Sequence, residues 1–272
     1  MARKRTLKTI WHIPDPLWKK IKPLLGKEKK LGTEGRPVIP YRVVFNGLLY
    51  VLRTGCQWKH APETFGSGST LHRRFQQWRS RGVFTRLWRL LLREYDAKRG
   101  ILWLWQALDS AMTKAPLGGK ATGKNPTDRA KSGTKRHIVT DRRGAPLSLC
   151  VTGANRHDKR MALPVVDAIA VERPAPDDEH PQHICGDKGY DFDDVREGFL
   201  ERGYTVHIPQ RGVVKKRRGR KHKAKRWVVE RTHSWLNRHR RLLVRWEKND
   251  KNYVALIHFA FSIQLYRLIV LG

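Results

Sequence analysis

The chain has 272 residues, which is long enough for one large core together with a smaller domain. It contains 57 Lys and Arg against 24 Asp and Glu, and the resulting charge of +33 indicates a polyanionic partner, usually nucleic acid. The cysteines lack the spacing of a zinc module or a disulfide framework, and the N-terminus lacks the apolar run of a secretory signal. We therefore expect a nucleic-acid-binding protein of the cytoplasm, with a merely cationic or ribosome-associated protein as the alternative.

Helical periodicity dominates the first third of the chain. Residues 14–95 repeat apolar positions every three or four residues, and Gly55 ends one of the predicted helices. A second helix, after a polar loop, contains Arg73, Arg74 and Gln76. The pair predicts a helix-turn-helix whose second helix enters the major groove of DNA. An ordinary helical bundle with a solvated basic face is the alternative interpretation.

From residue 101 the pattern changes to short apolar runs that are typical of buried strands. The runs predict, in this order, a strand (residues 101–109), a hairpin of two strands (135–141 and 146–154), a helix (159–171) and two further strands (182–187 and 204–209). The first run ends on Asp109 and a later run ends on Asp187. Each aspartate is therefore predicted at the carboxyl end of its strand.

Two features of the last quarter need separate interpretations. Residues 211–226 are almost wholly basic, and we expect a loop that contacts the DNA backbone through its central cations, Lys215, Lys216, Arg217 and Arg218. A solvated flexible segment is the alternative. The apolar stretch 253–271 barely reaches the length that spans a membrane and is interrupted by polar residues, so we predict a buried C-terminal helix and no membrane partner.

Three carboxylates are distinctive in this basic chain. Asp109 and Asp187 follow apolar strands, and Glu230 lies close to Arg226 in a helix predicted over residues 227–246. A lone Glu among arginines is usually part of a surface ion pair. Together with two strand-end aspartates, however, Glu230 completes a set of hard oxygen ligands for Mg²⁺ or Mn²⁺. Two such ions can activate an attacking hydroxyl and stabilise a leaving oxygen in phosphoryl transfer.

Five segments occur in a recognisable order: GLLYVLRTGCQWKHAPETFG, ALDS, TGANRHD, ICGDKGYD and VERTHSWLNRHRRLLVRWEK. With these segments, residues 11 to about 267 resemble bacterial insertion-sequence DDE transposases of the insertion-sequence-five family, within the insertion-sequence-four-like superfamily. The resemblance implies an α/β architecture, in which a ribonuclease H-like mixed-sheet catalytic domain follows a small all-α domain. It also implies that Asp109, Asp187 and Glu230 form the catalytic and metal-binding triad, with two Mg²⁺ ions that Mn²⁺ could replace.

The resemblance further implies a bacterial, nucleoid-associated enzyme that acts on double-stranded DNA. Such an enzyme binds terminal inverted repeats, cleaves the element ends and joins the 3′-OH ends to target DNA, and we expect a homodimer in the synaptic complex. Arg226, Arg238 and Arg241 are candidate DNA contacts. The family signature is incomplete, because Lys223 replaces its Tyr and Asn237 replaces its Lys.

The expected domains are residues 1–98, helical and DNA-binding, and residues 99–272, catalytic with the C-terminal helix. For His157 we expect a hydrogen bond that orients its loop, with DNA contact as the alternative, and Asp158 has no assigned chemical step. Two other functions stay open. A non-catalytic, domesticated protein would bind DNA without joining it, and a nuclease of the same fold would cut without joining.

Overall fold

The computed structural model describes residues 9–28, 38–212 and 226–271. The chain divides into two compact units, which we call the helical unit (residues 1–95 and 236–272) and the sheet unit (residues 96–235). The division at Tyr95 lies close to the expected domain boundary. The C-terminal helix, however, belongs to the helical unit and not to the unit that contains the sheet.

Eight α-helices lie in the described residues: α1 Asp15–Leu25, α2 Tyr41–Thr54, α3 Gly68–Ser80, α4 Val83–Arg99, α5 Ala162–Asp167, α6 Asp193–Glu201, α7 Trp227–Asn237 and α8 Asp250–Leu271. Local chemistry explains several of their ends. The Ser67 hydroxyl accepts a hydrogen bond from the Thr70 N–H and caps α3. Gly55 ends α2 in the left-handed region, with φ of 72°.

Aromatic packing explains why α8 joins the N-terminal helices. The Phe259 ring of α8 lies 5.0 Å from the ring of Phe45 on α2 and 5.7 Å from the ring of Phe84 on α4. All three side chains are fully buried. Helix α8 is long and apolar enough to cross a membrane, but 72% of its most apolar stretch is buried in the protein. The structure therefore agrees with the interpretation of this segment as a core helix.

The connection between α2 and α3 is not a tight turn. Residues 55–67 separate the two helices and contain two short 3-10 helices, Trp58–His60 and Glu63–Phe65. A helix-turn-helix joins its helices with about three or four residues. The longer connection corresponds to the helical-bundle alternative, with α3 packed on α2 through buried Leu71, Phe75 and Trp78.

The sheet unit contains a mixed six-stranded sheet, in which five strands overlap the predicted runs and the short strand Gly123–Lys124 was not predicted. Its strands are β1 Trp105–Lys114, β2 Gly123–Lys124, β3 Ser132–Asp141, β4 Pro146–Gly153, β5 Gln182–Cys185 and β6 Tyr204–His207. β1 is central, antiparallel to β3 and parallel to β5. β4 and the short β2 pair with β3, and β6 pairs in parallel with β5. This arrangement confirms the ribonuclease H-like mixed-sheet expectation.

Three element boundaries differ from the expectation. β1 begins at Trp105 and continues past Asp109 to Lys114, because its far half pairs with β3. The helix expected over 159–171 is reduced to a 3-10 turn followed by α5, which ends at Asp167. The helix expected to run from Trp227 to Trp246 ends at Asn237, where the chain passes from the sheet unit into the helical unit.

Candidate active site

Asp109 and Asp187 lie at matching positions, each just beyond the parallel pairing between β1 and β5. The last paired residues of β1 and β5 are Ala107 and Cys185. Asp109 lies two residues after Ala107, and Asp187 lies two residues after Cys185. Because parallel strands run in one direction, the two aspartates leave the paired region side by side. Asp109 is thus at the end of the parallel pairing, although β1 itself continues.

Asp187 is fixed by the turn that follows it. Its Oδ1 accepts a hydrogen bond of 2.8 Å from the Gly189 N–H, so the carboxylate caps the short 3-10 helix Lys188–Tyr190. A Cβ atom at Gly189 would lie 2.8 Å from the same Oδ1. The glycine therefore allows the backbone to approach the carboxylate closely, and any side chain there would displace Asp187.

Glu230 lies in the first turn of α7, where half of its side chain is exposed. Its Oε1 accepts a 3.1 Å hydrogen bond from the Nε of Arg226, four residues earlier. The sequence offered two interpretations of this residue, a surface ion pair or a third site carboxylate. The ion pair is present, and the charge of Glu230 also acts on Asp109, as described below.

Two side chains anchor α7 to the hairpin of the sheet. The hydroxyl of buried Thr232 donates a 3.0 Å hydrogen bond to the main-chain oxygen of Gly144, in the turn between β3 and β4. The guanidinium of Arg231 donates a 2.7 Å hydrogen bond to the main-chain oxygen of Arg143. Both contacts fix the helix that bears Glu230 relative to the strands that bear the aspartates.

The three carboxylates share one electrostatic environment. The pKa of Asp109 is raised to about 6, mainly by burial and to a smaller extent by the negative charges of Asp187 and Glu230. The Ser110 main-chain N–H and the Arg226 charge act in the opposite direction. The charges of both other acids, Asp187 and Glu230, thus act on Asp109.

The chemistry of these donors fits a divalent cation. Carboxylate oxygens are hard ligands that suit such an ion. A bound cation would stabilise the ionised form of Asp109 and so oppose the burial and the neighbouring negative charges, both of which raise its pKa. Within the described residues, no three side chains of the ligating types lie close enough together to hold a metal ion. One of the three acids, Glu230, is instead paired with Arg226.

His233, which the sequence analysis did not single out, lies next to Asp109. Its side chain is buried, and the ring lies close to the main chain of Asp109. Burial and the charge of Arg136 lower the pKa of His233 to about 3, so the ring is neutral. Its position three residues after Glu230, on the inner side of the same helix, is the signal that could have identified it.

Asp158 of the TGANRHD segment connects to the residue after Asp109. The Ser110 hydroxyl donates a 2.8 Å hydrogen bond to Asp158 Oδ1, and the Lys135 ammonium lies 3.0 Å from the same oxygen. Lys135, which is almost fully buried on β3, also donates a 2.8 Å hydrogen bond to the main-chain oxygen of Arg156. Asp158 thus joins its loop to β1 and β3 directly beside the site.

His157 has the local role that the sequence suggested. Its Nδ1 accepts a 3.2 Å hydrogen bond from the Lys159 N–H, and the ring packs edge-on against Phe192 at 5.5 Å. Both contacts orient the loop that carries Asp158.

The candidate DNA contacts on α3 differ in availability. Arg73 is exposed, whereas the Arg74 guanidinium lies 4.9 Å from the centre of the Tyr41 ring and bonds to Gln77 at 3.0 Å. Gln76 bonds to His72 at 3.2 Å. Of these three residues on α3, Arg73 is therefore the one whose charged group is exposed for contact with a phosphate.

The remaining candidate contacts divide into three groups. Arg226 is paired with Glu230, and Arg238 is exposed beyond the end of α7. Arg241 is buried and forms an ion pair of 2.8 Å with Glu247, so its expected role as a surface DNA contact is wrong. The four loop cations lie outside the described residues: Lys215, Lys216, Arg217 and Arg218.

Two family models match the chain. One, described as a transposase DDE domain, matches residues 106–265, which include all three acids. The other, described as a putative transposase of the IS4/5 family, matches residues 13–88.

Curated relatives come from insertion sequences. The putative transposase for insertion sequence element IS402 of Burkholderia cepacia is 42% identical over 146 residues, which are 53% of this chain and 65% of that protein. The match thus spans slightly less than two thirds of the relative. An uncharacterized 16.2 kDa protein of the same element is 36% identical over 118 residues, 42% of this chain and 80% of that protein.

Similar solved structures are complexes of Mos1 transposase. A pre-cleavage Mos1 transpososome has a TM-score of 0.33 and 10% identity, covering 90% of this chain and 80% of that chain. A Mos1 paired end complex with Mn has a TM-score of 0.27 and 10% identity, covering 94% and 86%. Scores this low describe a weak overall superposition.

Proposed function

Because the chain belongs to the transposases with a DDE domain, we propose that it binds the terminal inverted repeats of a mobile element and cuts its DNA ends. It then transfers the 3′-OH ends to target DNA. The observation that supports this most strongly is the matched position of Asp109 and Asp187 on adjacent parallel strands, with the charge of Glu230 acting on Asp109. Three such acids are the donors that phosphoryl transfer needs.

Asp109, Asp187 and Glu230 would hold two Mg²⁺ ions, which Mn²⁺ could replace. When bound, these ions supply Lewis acidity at the phosphate and lower the pKa of the attacking hydroxyl or water. The acids themselves have distinct environments. Asp109 is held on β1, Asp187 is fixed by the Gly189 N–H, and the side chain of Glu230 is half exposed.

In the proposed reaction, the ion pair between Arg226 and Glu230 separates and each side chain gains a new partner. In the free protein their side chains are paired at 3.1 Å. An exposed pair of this kind contributes little to stability, typically about 0.3–0.5 kcal/mol on a helix, so it separates readily. Once separated, Glu230 turns towards the two aspartates and Arg226 is free to contact a DNA phosphate.

DNA binding is proposed to use exposed cations of both units. Arg73 on α3 and Arg238 after α7 are the described candidates, and the basic residues 213–225 add further charge. Phosphate contacts position the DNA without reading its sequence. Two element ends must be handled together, so we propose a homodimer in the synaptic complex.

A strand-transfer assay tests the proposal. It uses labelled terminal-repeat DNA with and without Mg²⁺, and compares the parent with Asp109→Asn, Asp187→Asn and Glu230→Gln. Joined products should require metal and fall roughly a thousandfold or more in each variant, because residues that act as a unit are each essential. The matched control is Asp177→Asn, an exposed carboxylate of the same unit that pairs with His180.

Three results would contradict the proposal in different ways. Joining by all three variants would show that the site is elsewhere. Cutting without joining would identify a nuclease, and binding of DNA without either reaction would identify a binding protein.

A further inference from the structure

A cavity of about 350 Å³ opens in the helical unit. Small-molecule sites usually have volumes of roughly 300–1,000 Å³, so this one suits a single small planar ligand. Its lining is aromatic, cationic and amide-bearing, and consists of Trp58, His72, Phe75, Arg241, Trp246, Glu247, Lys248, Asn249 and Asn252. The proposed cutting and joining chemistry uses none of these side chains.

Two distant sequence segments meet to form the cavity. Trp58 comes from the first of the five segments that carry the family resemblance, and Arg241 and Trp246 come from the last. Arg241 joins them, because its Nη1 donates a 3.2 Å hydrogen bond to the Cys56 main-chain oxygen and its guanidinium lies 5.7 Å from the Trp58 ring. The same guanidinium is paired with Glu247 at 2.8 Å. The wall is thus held by a buried ion pair.

Aromatic surface is available in the cavity. The Trp58 ring packs against the rings of Phe75 at 5.3 Å and His72 at 5.4 Å, which fix its plane. Trp246 lines the cavity while 45% of its surface is exposed, although a large apolar side chain is usually buried. Exposed aromatic rings beside a cation are the usual means of stacking a nucleobase.

Two acceptor atoms of the lining are buried without a partner. Glu247 uses Oε1 for Arg241, but its Oε2 has no hydrogen-bond partner among the described residues, and only 5% of this side chain is exposed. The Oδ1 of Asn252 is also buried and unpaired within the same part of the chain. Buried acceptors are normally satisfied, so a pair of them beside a cavity points to a ligand that donates hydrogen bonds.

We propose that this cavity binds one unpaired nucleobase of the DNA, stacked on Trp246 and Trp58, with its N–H groups donating to Glu247 Oε2 and Asn252 Oδ1. The charge of the chain selects nucleic acid as the source of the base, and in this respect the inference rests on the proposed function. Guanine is the preferred base, because its Watson–Crick edge presents two adjacent N–H donor groups. Thymine presents one N–H between two carbonyl oxygens and is disfavoured. Lys248, exposed at the rim, would contact the adjoining phosphate.

Fluorescence anisotropy with labelled duplexes tests the site. Each duplex contains one extrahelical position, occupied by guanine, adenine, cytosine, thymine or an abasic sugar, and a fully paired duplex is the reference. Elevated salt suppresses the sequence-independent phosphate contacts. The parent should bind the guanine bulge most tightly, by roughly 5- to 150-fold over the abasic bulge, which is the range that stacking of one base produces.

The variants separate stacking from edge recognition. Trp246→Ala should remove the advantage of every base over the abasic sugar, whereas Trp11→Ala should keep it. Trp11 is a matched control, since it is 48% exposed in the same unit with Arg53 over its ring. Glu247→Gln should keep the stacking advantage but lose the preference of guanine over thymine. Asn252→Ala should weaken the same preference, and circular dichroism verifies that each variant is folded.

Equal binding of all bulges and of the paired duplex by the parent would overturn the proposal. So would a base preference that survives in Trp246→Ala. The assay contains no metal and measures no joining, so its outcome is independent of the strand-transfer test. A protein that fails to join DNA can still show the base preference, and an active transposase can lack it.

Discussion

The cluster around Phe259 in the helical unit and the surroundings of Asp109 in the sheet unit bury different kinds of side chain. In the helical unit the rings of Phe45, Phe84 and Phe259 meet within 6.0 Å of one another. In the sheet unit, the residues beside Asp109 include buried Lys135, which is bonded to Asp158. Apolar packing stabilises a fold, whereas buried charges cost stability unless they are paired. We therefore expect substitutions in the helical unit to act on stability and those around Asp109 to act on chemistry.

The pKa values of the two units show the same contrast. In the helical unit, burial and the charge of Arg89 lower the pKa of His258 to about 3, so this histidine is packed as a neutral ring. In the sheet unit, burial and two neighbouring acids raise the pKa of Asp109 to about 6, close to the pH at which proteins work. A shifted carboxylate among other carboxylates is typical of a functional site.

Phe259→Ala should have the largest effect on stability. The ring contacts both α2 and α4 through aromatic neighbours, so its loss leaves a cavity and should lower the free energy of unfolding by about 3–5 kcal/mol. Chemical denaturation measures this, and Val270→Ala, at a half-exposed position of the same helix, should change it by less than about 0.5 kcal/mol. Similar losses in both variants would show that α8 is not a core helix.

Acid should destabilise the helical unit through His258. Its folded pKa is lowered to about 3, so between pH 6.5 and 3 the unfolded chain binds a proton that the folded chain does not. Stability from this residue should therefore fall by about 2–3 kcal/mol between pH 6.5 and 4.5, at 1.36 kcal/mol per pKa unit. Denaturation at a series of pH values measures it. His258→Gln should reduce the slope of the curve and leave the part that buried His233 contributes, whereas the exposed His60→Gln should not change the slope.

Asp158→Asn should reduce strand transfer, and stability should fall as well, because the buried Lys135 ammonium loses its counter-charge. The substitution removes the negative charge that pairs with Lys135 but keeps an oxygen for the Ser110 hydroxyl, so the chain beside Asp109 loses part of its support. Losses of about 10- to 100-fold follow removal of such supporting groups. Asp167→Asn is the control, because it breaks a surface ion pair with Arg202 in the same unit. An unchanged rate would leave Asp158 with a structural role alone.

The three proposed catalytic acids could be singled out in the sequence because the patterns around them are local. Apolar runs that end on a carboxylate singled out Asp109 and Asp187, and Glu230 was distinctive in a predicted helix close to Arg226. The resemblance then implied a common catalytic role for the three acids. The sequence placed Asp109 at the end of its strand. It could not show that β1 continues to Lys114, because this depends on pairing with β3, a long-range contact.

The supporting residues and the assignment of α8 could not be predicted for the same physical reason. Nothing in the local pattern shows that Lys135 and Asp158 meet, or that Arg241 is buried against Glu247. Among many basic residues, a buried arginine and a DNA-contacting arginine look alike in sequence. Likewise, the apolar C-terminal helix could pack on either unit, and only the partners of Phe259 decide between them.

Metal binding should depend on pH through Asp109, the smallest effect expected here. The folded pKa is raised from 3.8 to about 6, and the ionised carboxylate is the form that binds a cation. Above pH 6, the ionisation of Asp109 should therefore have no effect on the apparent affinity for Mn²⁺. Below pH 6, the affinity should fall about tenfold per pH unit, and calorimetry measures this change. In the metal-free protein, carboxyl NMR should show the Asp109 inflection move to lower pH in Asp187→Asn, since one repelling charge is removed. An inflection that stays near 6 would show that burial alone sets the pKa, and that the two aspartates are farther apart than the strand register indicates.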